Sequence, residues 1–352
     1  MTAESTTSPA APEPTAPVPA SSPAPLEAAE AAPVAAVESG AVLAAEVTEP
    51  AAQVPHRSGF VAVVGRPNVG KSTLMNAYLG QKIAITSNKP QTTRHTQLGI
   101  LTRLDAQVIF VDTPGMHEAR NPLGAYMVQV ATRALQDADV VLFIVDVSTP
   151  PGPGDARLAE ILAQRTQPGP VVLALNKSDR LKPEDVIPFT TAYAALVPNA
   201  QWMMVSATRG DNLDDLLNRI VLSLPEGPDL FPEDEITQTH LRDLAGEFIR
   251  EAALNLLEEE VPHGIAVEVD SFQERGEGNA FIAATLYIER ESHKGIVIGK
   301  NGGMLKQIGT NARQAIEGLL GGKVFVEIHV KVRANWRKNE ADVQRLGYRP
   351  RE

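Results

Sequence analysis

Cysteine is missing from all 352 residues, which excludes a disulfide framework and thiolate metal sites and leaves nothing that argues for an oxidising compartment. No run approaches the ~18 consecutive apolar residues of a membrane-spanning helix, and the N-terminus lacks the basic start and apolar core of a secretory signal. The expectation is a soluble, cytoplasmic protein with no transmembrane segment. Aromatic residues make up only 5% of the chain, so recognition through stacked aromatic platforms is not expected. Lys and Arg are absent from residues 1–56, which carry seven Glu.

That opening stretch is mostly Ala, Pro, Glu, Ser, Thr and Val, with prolines that interrupt any helix or strand, and it reads as a disordered tail. The remaining chain is long enough for about two domains, since single cores stop growing at roughly 250–300 residues. The net charge of −11 hides an uneven distribution: residues 290–352 hold 13 Lys or Arg against 6 Asp or Glu. A basic ending on an acidic protein is a candidate footprint for phosphate-bearing partners.

From Gly59 the run FVAVVG passes through a glycine-containing loop into KSTLMNAYLG, a strand, loop and helix in succession. Further buried-strand patterns lie at 107–113, 140–146, 171–177 and 202–207, with helix-length segments between the later ones. Strands alternating with helices predict an α/β domain with a mostly parallel sheet over 57–224. The Pro-rich stretch at 225–238 reads as a linker. Beyond it the pattern is helix, strand, strand, helix, helix, strand, an α+β domain over 239–352.

Gly65-Arg66-Pro67-Asn68-Val69-Gly70-Lys71-Ser72 has the spacing of a phosphate-binding loop between strand and helix. Backbone N–H groups and the positive helix N-terminus can cradle phosphates there, with Thr73 in the first turn. Lys71 can reach the outer phosphates, and the Ser72 hydroxyl can hold Mg²⁺. Asp112-Thr113-Pro114-Gly115 places a carboxylate at a strand end where it can hold the same ion, and Gly115 can offer its N–H to the terminal phosphate. Asn176-Lys177-Ser178-Asp179 decides the base: Asp179 can accept both guanine N1–H and the exocyclic amine, which adenine does not offer in that arrangement. The Lys177 stem can pack along the purine, and the backbone of Ser206, Ala207 and Thr208 can donate to the guanine carbonyl. GTP and GDP are therefore the expected ligands.

These motifs, in this order, resemble the translation-factor-related P-loop (Ras-like) GTPases, and Gln91-Thr92-Thr93-Arg94-His95 resembles the first switch region of the Era subgroup. The resemblance implies that Thr92 or Thr93 closes over Mg²⁺; spacing does not choose between them. It also implies a K⁺ ion held by Asn68. Met116 stands where a Ras-type switch carries the water-orienting Gln, so slow intrinsic hydrolysis is expected.

In the basic ending, Gly299-Lys300-Asn301-Gly302 lies between two helical patterns. With the element order it resembles a type II KH domain, whose G-x-x-G loop clamps nucleic-acid backbone. Ile296, Ile298 and Ile308 are expected to form the apolar groove, and Lys300 and Lys306 to supply charge.

A GTPase domain followed directly by a KH domain resembles the Era family of bacterial ribosome-assembly GTPases from about Phe60 to Tyr348. This implies binding to 16S rRNA near its 3′ end, a role in assembly of the small (30S) ribosomal subunit, and peripheral association with the inner face of the cell membrane. The rival expectations are an RNA-binding scaffold with an inactive nucleotide domain, and a cell-cycle or membrane-associated GTPase switch.

Overall fold

The structure, a computed structural model, describes residues 55–349 apart from 90, 117, 118, 120 and 166–168. The tail expected at 1–56 lies outside the described residues except for its last two, as does part of the loop after Met116.

The first module is built on a sheet of β1 (Arg57–Val64), β2 (Gln97–Thr102), β3 (Ala106–Asp112), β4 (Val140–Asp146), β5 (Val171–Asn176) and β6 (Gln201–Met204), in the order β2-β3-β1-β4-β5-β6. All pairings are parallel except that of the edge strand β2 with β3. Helices α1 (Lys71–Leu79), α2 (Pro122–Asp137), α3 (Pro153–Ala163), α4 (Val186–Leu196) and α5 (Leu213–Ser223) cover it. Side chains alternate across a strand. Val61 and Val63 of β1 therefore pack with Leu74 of α1 and Leu216 and Ile220 of α5, while Ala62 and Val64 pack with Leu135 of α2, Leu158 of α3 and Tyr193 of α4. Both faces are covered, which is why these strands read as unbroken apolar runs. Each fully buried Val, Leu or Phe contributes about 1.5–3 kcal/mol.

Parallel strands place their C-terminal ends at one edge of the sheet, so the loops after Val64, Asp112, Asn176 and Met204 converge there. The register sets this directly: Val63 lies opposite Asp112, and Asp146 opposite Asn176.

The second module runs α6 (Leu241–Leu256), β7 (Ala266–Glu274), β8 (Ala280–Ile288), α7 (Glu291–Ile298), α8 (Gly303–Leu320) and β9 (Val324–Val332), the predicted order, and adds α9 (Glu340–Arg345). β8 pairs antiparallel with β7 and parallel with β9. Phe248, Ile249, Ile282, Leu286, Ile308 and Ile316 lie at its core. Ile308 was expected in an RNA groove; the helical period of α8 instead turns it inward, where it is fully buried.

Residues 225–239 form neither helix nor regular strand and lie along the first module. Gln107 of β3 accepts from the amides of Leu230 and Phe231 and donates to the Phe231 carbonyl, and Ile100 of β2 donates to the Ile236 carbonyl at 2.8 Å. A further apolar cluster joins Leu123, Tyr126 and Met127 of α2 to Tyr287, Trp336 and Tyr348 of the second module.

Candidate nucleotide site

The loop between β1 and α1 closes through Gly70, whose φ of 106° is strained for other residues; a Cβ there would lie 2.2 Å from Asn176 Nδ2. Lys71 opens α1 and is buried, its ammonium donating to the carbonyls of Gly65 (3.2 Å) and Arg66 (3.0 Å). Burial brings the amine down to about 8, with Asp112 pulling the other way. The Arg66 guanidinium is turned away onto the buried Asp155 of α3, at 2.7 Å. Val69 packs its side chain into the sheet core. Pro67, Asn68, Gly70, Ser72, Thr73 and Gln91 contribute to the wall of a cleft of about 430 Å³.

Three hydroxyl and carboxylate oxygens meet at the mouth of α1. Ser72 Oγ donates to Asp112 Oδ2 at 2.7 Å, and Thr93 Oγ1 lies 3.2 Å from Ser72 Oγ and 3.3 Å from Asp112 Oδ2. The second carboxylate oxygen, Oδ1, is buried without a hydrogen bond. Burial raises the Asp112 pKa, and the neighbouring Lys71 charge and the two hydroxyls oppose it. Hard oxygen donors with an unsatisfied carboxylate atom are a donor set that fits Mg²⁺. Of the two switch threonines only Thr93 belongs to this set. The Thr92 hydroxyl is committed to the Lys89 carbonyl at 2.6 Å, so of the two alternatives the geometry favours Thr93.

At the base end, Lys177 adopts φ 63° and pairs with Asp146 at 2.6 Å, and Asp179 Oδ1 accepts from Ser206 Oγ at 2.7 Å. Asn176 donates to the Val69 carbonyl at 2.7 Å and accepts from the Ala207 amide at 3.0 Å, so it ties the phosphate loop to the loop after β6. The expected Ala207 donor is thus engaged with Asn176, while Thr208 lines the cleft. Gly115 sits against the Pro67 ring, and Met116 packs partly buried against the sheet. Asn68, at φ 66°, donates to the Asn88 carbonyl at 2.7 Å.

Arg94 and His95 leave the cleft altogether. Arg94 is buried in the second module, and His95 stacks on Tyr348 with ring centroids 4.7 Å apart. In the other direction Asn255 of α6 lines the nucleotide cleft. Neither crossing is legible from motif spacing, because it joins residues far apart in the chain.

The G-x-x-G loop lies between α7 and α8. Gly299 has φ 71°, and a Cβ there would come within 2.8 Å of the Met304 backbone; Asn301 and Gly302 also have positive φ. Lys300, Asn301 and Lys306 are exposed, Ile298 is half-buried, and Ile296 is 51% exposed. Exposed cations and an exposed apolar side chain thus flank, along the chain, a loop that allows close approach. Among the described residues no helix is long and apolar enough to cross a membrane.

Comparison with known proteins agrees with this architecture. Residues 60–177 match the family model described as 50S ribosome-binding GTPase, and residues 260–337 match that of the KH domain. GTPase Era of Ruminiclostridium cellulolyticum is 46% identical over 294 residues, covering 84% of this chain and 98% of that protein. GTPase Era of Geobacter metallireducens is 47% identical over 295 residues with the same coverage. The crystal structure of Era in complex with MgGDPNP and nucleotides 1506–1542 of 16S ribosomal RNA is similar at a TM-score of 0.78 and 41% identity, covering 83% of this chain and 99% of that one. With a phosphate loop, a guanine-type base pocket and a KH module on one chain, this protein belongs to the Era family of GTPases.

Proposed function

We propose that this GTPase binds 16S rRNA near its 3′ end through residues 239–352 and acts in assembly of the small (30S) ribosomal subunit, with GTP and Mg²⁺ bound by residues 57–224 and 225–238 as the connection. The observation that carries the nucleotide half is the oxygen cluster of Ser72, Thr93 and Asp112 beside Lys71. Lys71 and the loop N–H groups from Gly65 to Thr73, Pro67 excepted, hold the phosphates, Gly115 donates to the terminal one, and Ser72, Thr93 and Asp112 hold the ion. Bound Mg²⁺ supplies neutralisation of the charge that builds on the phosphate oxygens. Asp179 accepts from guanine N1–H and its amine, with Lys177 along the ring.

Met116 cannot orient water, and its packing against the sheet leaves that task to other groups. K⁺ near Asn68 is the proposed source of charge compensation, through the amide oxygen, since the amide nitrogen is engaged with Asn88. Faster turnover in KCl than in NaCl is the expected result; equal rates would remove K⁺ from the scheme.

On the RNA side, Lys300 and Lys306 meet phosphates, Gly299, Asn301 and Gly302 let the backbone approach, and Ile296 and Ile298 face the bases. The resemblance to 16S-bound Era supports the choice of RNA. The test is filter binding of a 16S 3′-end RNA in the presence of a non-hydrolysable GTP analogue and of GDP. A higher affinity in the analogue state is expected, since a ligand shifts an equilibrium only by its differential affinity. Equal affinities with no turnover would instead favour an RNA-binding scaffold. Peripheral association with the inner face of the membrane is part of the same reading, and co-sedimentation with anionic phosphatidylglycerol vesicles tests it.

A further inference from the structure

Helix α6 belongs to the RNA-binding module, yet it lies against the loop that carries Thr93. Arg250 is fully buried; its guanidinium donates to the Thr92 carbonyl and pairs with Glu247. The adjacent Glu251 accepts from the Thr86 amide at 2.8 Å and pairs with Lys82 at 2.5 Å. About one turn further on, Asn255 reaches the nucleotide cleft.

On the other side of Thr93 the traffic is reversed. Arg94 projects out of the GTPase module and is buried beside the stacked rings of Trp336 and Tyr348, 5.6 and 5.8 Å from their centroids. It donates to the carbonyls of Ile265 (2.6 Å) and His263 (3.2 Å) and to the Tyr348 hydroxyl at 3.2 Å. Thr93 therefore stands between two buried arginines, one reaching in from the second module and one inserted into it.

From this we infer that Arg250 and Arg94 are positioning residues for GTP: by fixing the backbone on both sides of Thr93 they hold its hydroxyl against Ser72 and Asp112. The hydroxyl's own contacts, at 3.2 and 3.3 Å, are long for O–H···O bonds and would not restrain a loop alone. Charge-assisted bonds to buried carbonyls are stronger and directional. Removing Arg250 would also leave the Thr92 carbonyl without that donor. The demand for the Thr93 oxygen comes with the third phosphate and its metal shell, so the clamp should discriminate GTP from GDP rather than strengthen both. By reciprocity, a nucleotide that tightens Thr93 tightens α6 by the same free energy. The inference rests on the reading of Thr93 as an ion ligand.

The test compares Arg250→Met, Arg250→Lys and Thr93→Ala with the unaltered full chain, by calorimetric titration of a non-hydrolysable GTP analogue and of GDP at stepped Mg²⁺ concentrations. Arg250→Met should lose about tenfold or more in analogue affinity, the scale of a lost charged hydrogen bond. It should also need more Mg²⁺ for half-saturation, with GDP affinity held within about twofold. Arg250→Lys should recover part of the loss, because an ammonium can still donate to the Thr92 carbonyl. Equal losses for analogue and GDP, or no loss, would overturn the clamp. If Thr93→Ala behaves as the unaltered chain, it is the reading of Thr93 that fails. Hydrogen exchange on the unaltered chain guards against a variant that does not fold: analogue should protect residues 91–95 and 247–255 together, relative to GDP. Protection of the loop alone would overturn the clamp.

Discussion

Asn176 donates to the backbone carbonyl of Val69 at 2.7 Å, so the base-specifying segment and the phosphate loop are held together by a side chain that need not touch the base. Its oxygen is also taken, by the Ala207 amide. Asn176→Ala should therefore weaken GTP and GDP alike and cost about 1–3 kcal/mol of stability, the scale for leaving buried partners unpaired. Thermal melts and parallel titrations of the two nucleotides check this; a loss confined to GTP would contradict it.

Asp179 has the opposite character. It is oriented by Ser206 Oγ, and its acceptor oxygens are what select guanine's two donors. Replacing the carboxylate by an amide puts a donor where guanine has one and xanthine has a carbonyl. Asp179→Asn should exchange preference from GTP to XTP by about 10²-fold or more, in keeping with the penalty for unpaired polar groups in a specificity site. Competition between the two nucleotides for the variant provides the measurement.

Burial pushes the Glu247 carboxyl up, but Arg250 beside it outweighs burial and holds it below its ordinary 4.5. A depressed carboxylate contributes stability that is complete above its unfolded value and is lost as pH falls through the folded one. Stability should therefore decline below about pH 4.5 with a component from this pair. Glu247→Gln should be less stable at pH 7 and show a shallower acid limb in urea unfolding. An unchanged acid limb would exclude Glu247 from the pH dependence.

The exposed Lys300 lies in the G-x-x-G loop, and Gly302 beside it has open space at its Cβ position. Lys300→Ala should reduce RNA affinity at all sequences and lower the slope of log affinity against log salt by about one contact. Gly302→Asp, which adds a negative charge where phosphate approaches and strains a backbone held at φ 75°, should weaken binding further through both effects, and filter binding across a salt series reads both variants.

Much of this was legible because the parallel sheet is buried on both faces: β1, β3, β4 and β5 announce themselves as apolar runs. β2 did not, since QLGILT is a short edge strand with Gly99 tucked against Leu79 and Met75 of α1. The phosphate and base motifs were legible because each chemistry needs fixed spacing along one loop. Thr93 over Thr92 is not legible, because the choice depends on how the folded loop turns the two hydroxyls, Thr92 onto the Lys89 carbonyl and Thr93 onto Ser72 and Asp112. Arg250, Glu251 and Asn255 carry no motif signal, and only the folded chain shows that they meet another module. Ile308 shows the converse: it is close in sequence to the G-x-x-G loop, yet α8 rotates that position into the core.

Gln107 has a consequence for how the two modules find each other. By holding Leu230 and Phe231 to β3, with Ile236 held at β2, it shortens the free length of the connection to a few residues before α6. The second module thus re-docks after any opening at a high effective concentration, and little loop-closure entropy opposes its return. A chain so tethered can let go of its partner module often without losing it.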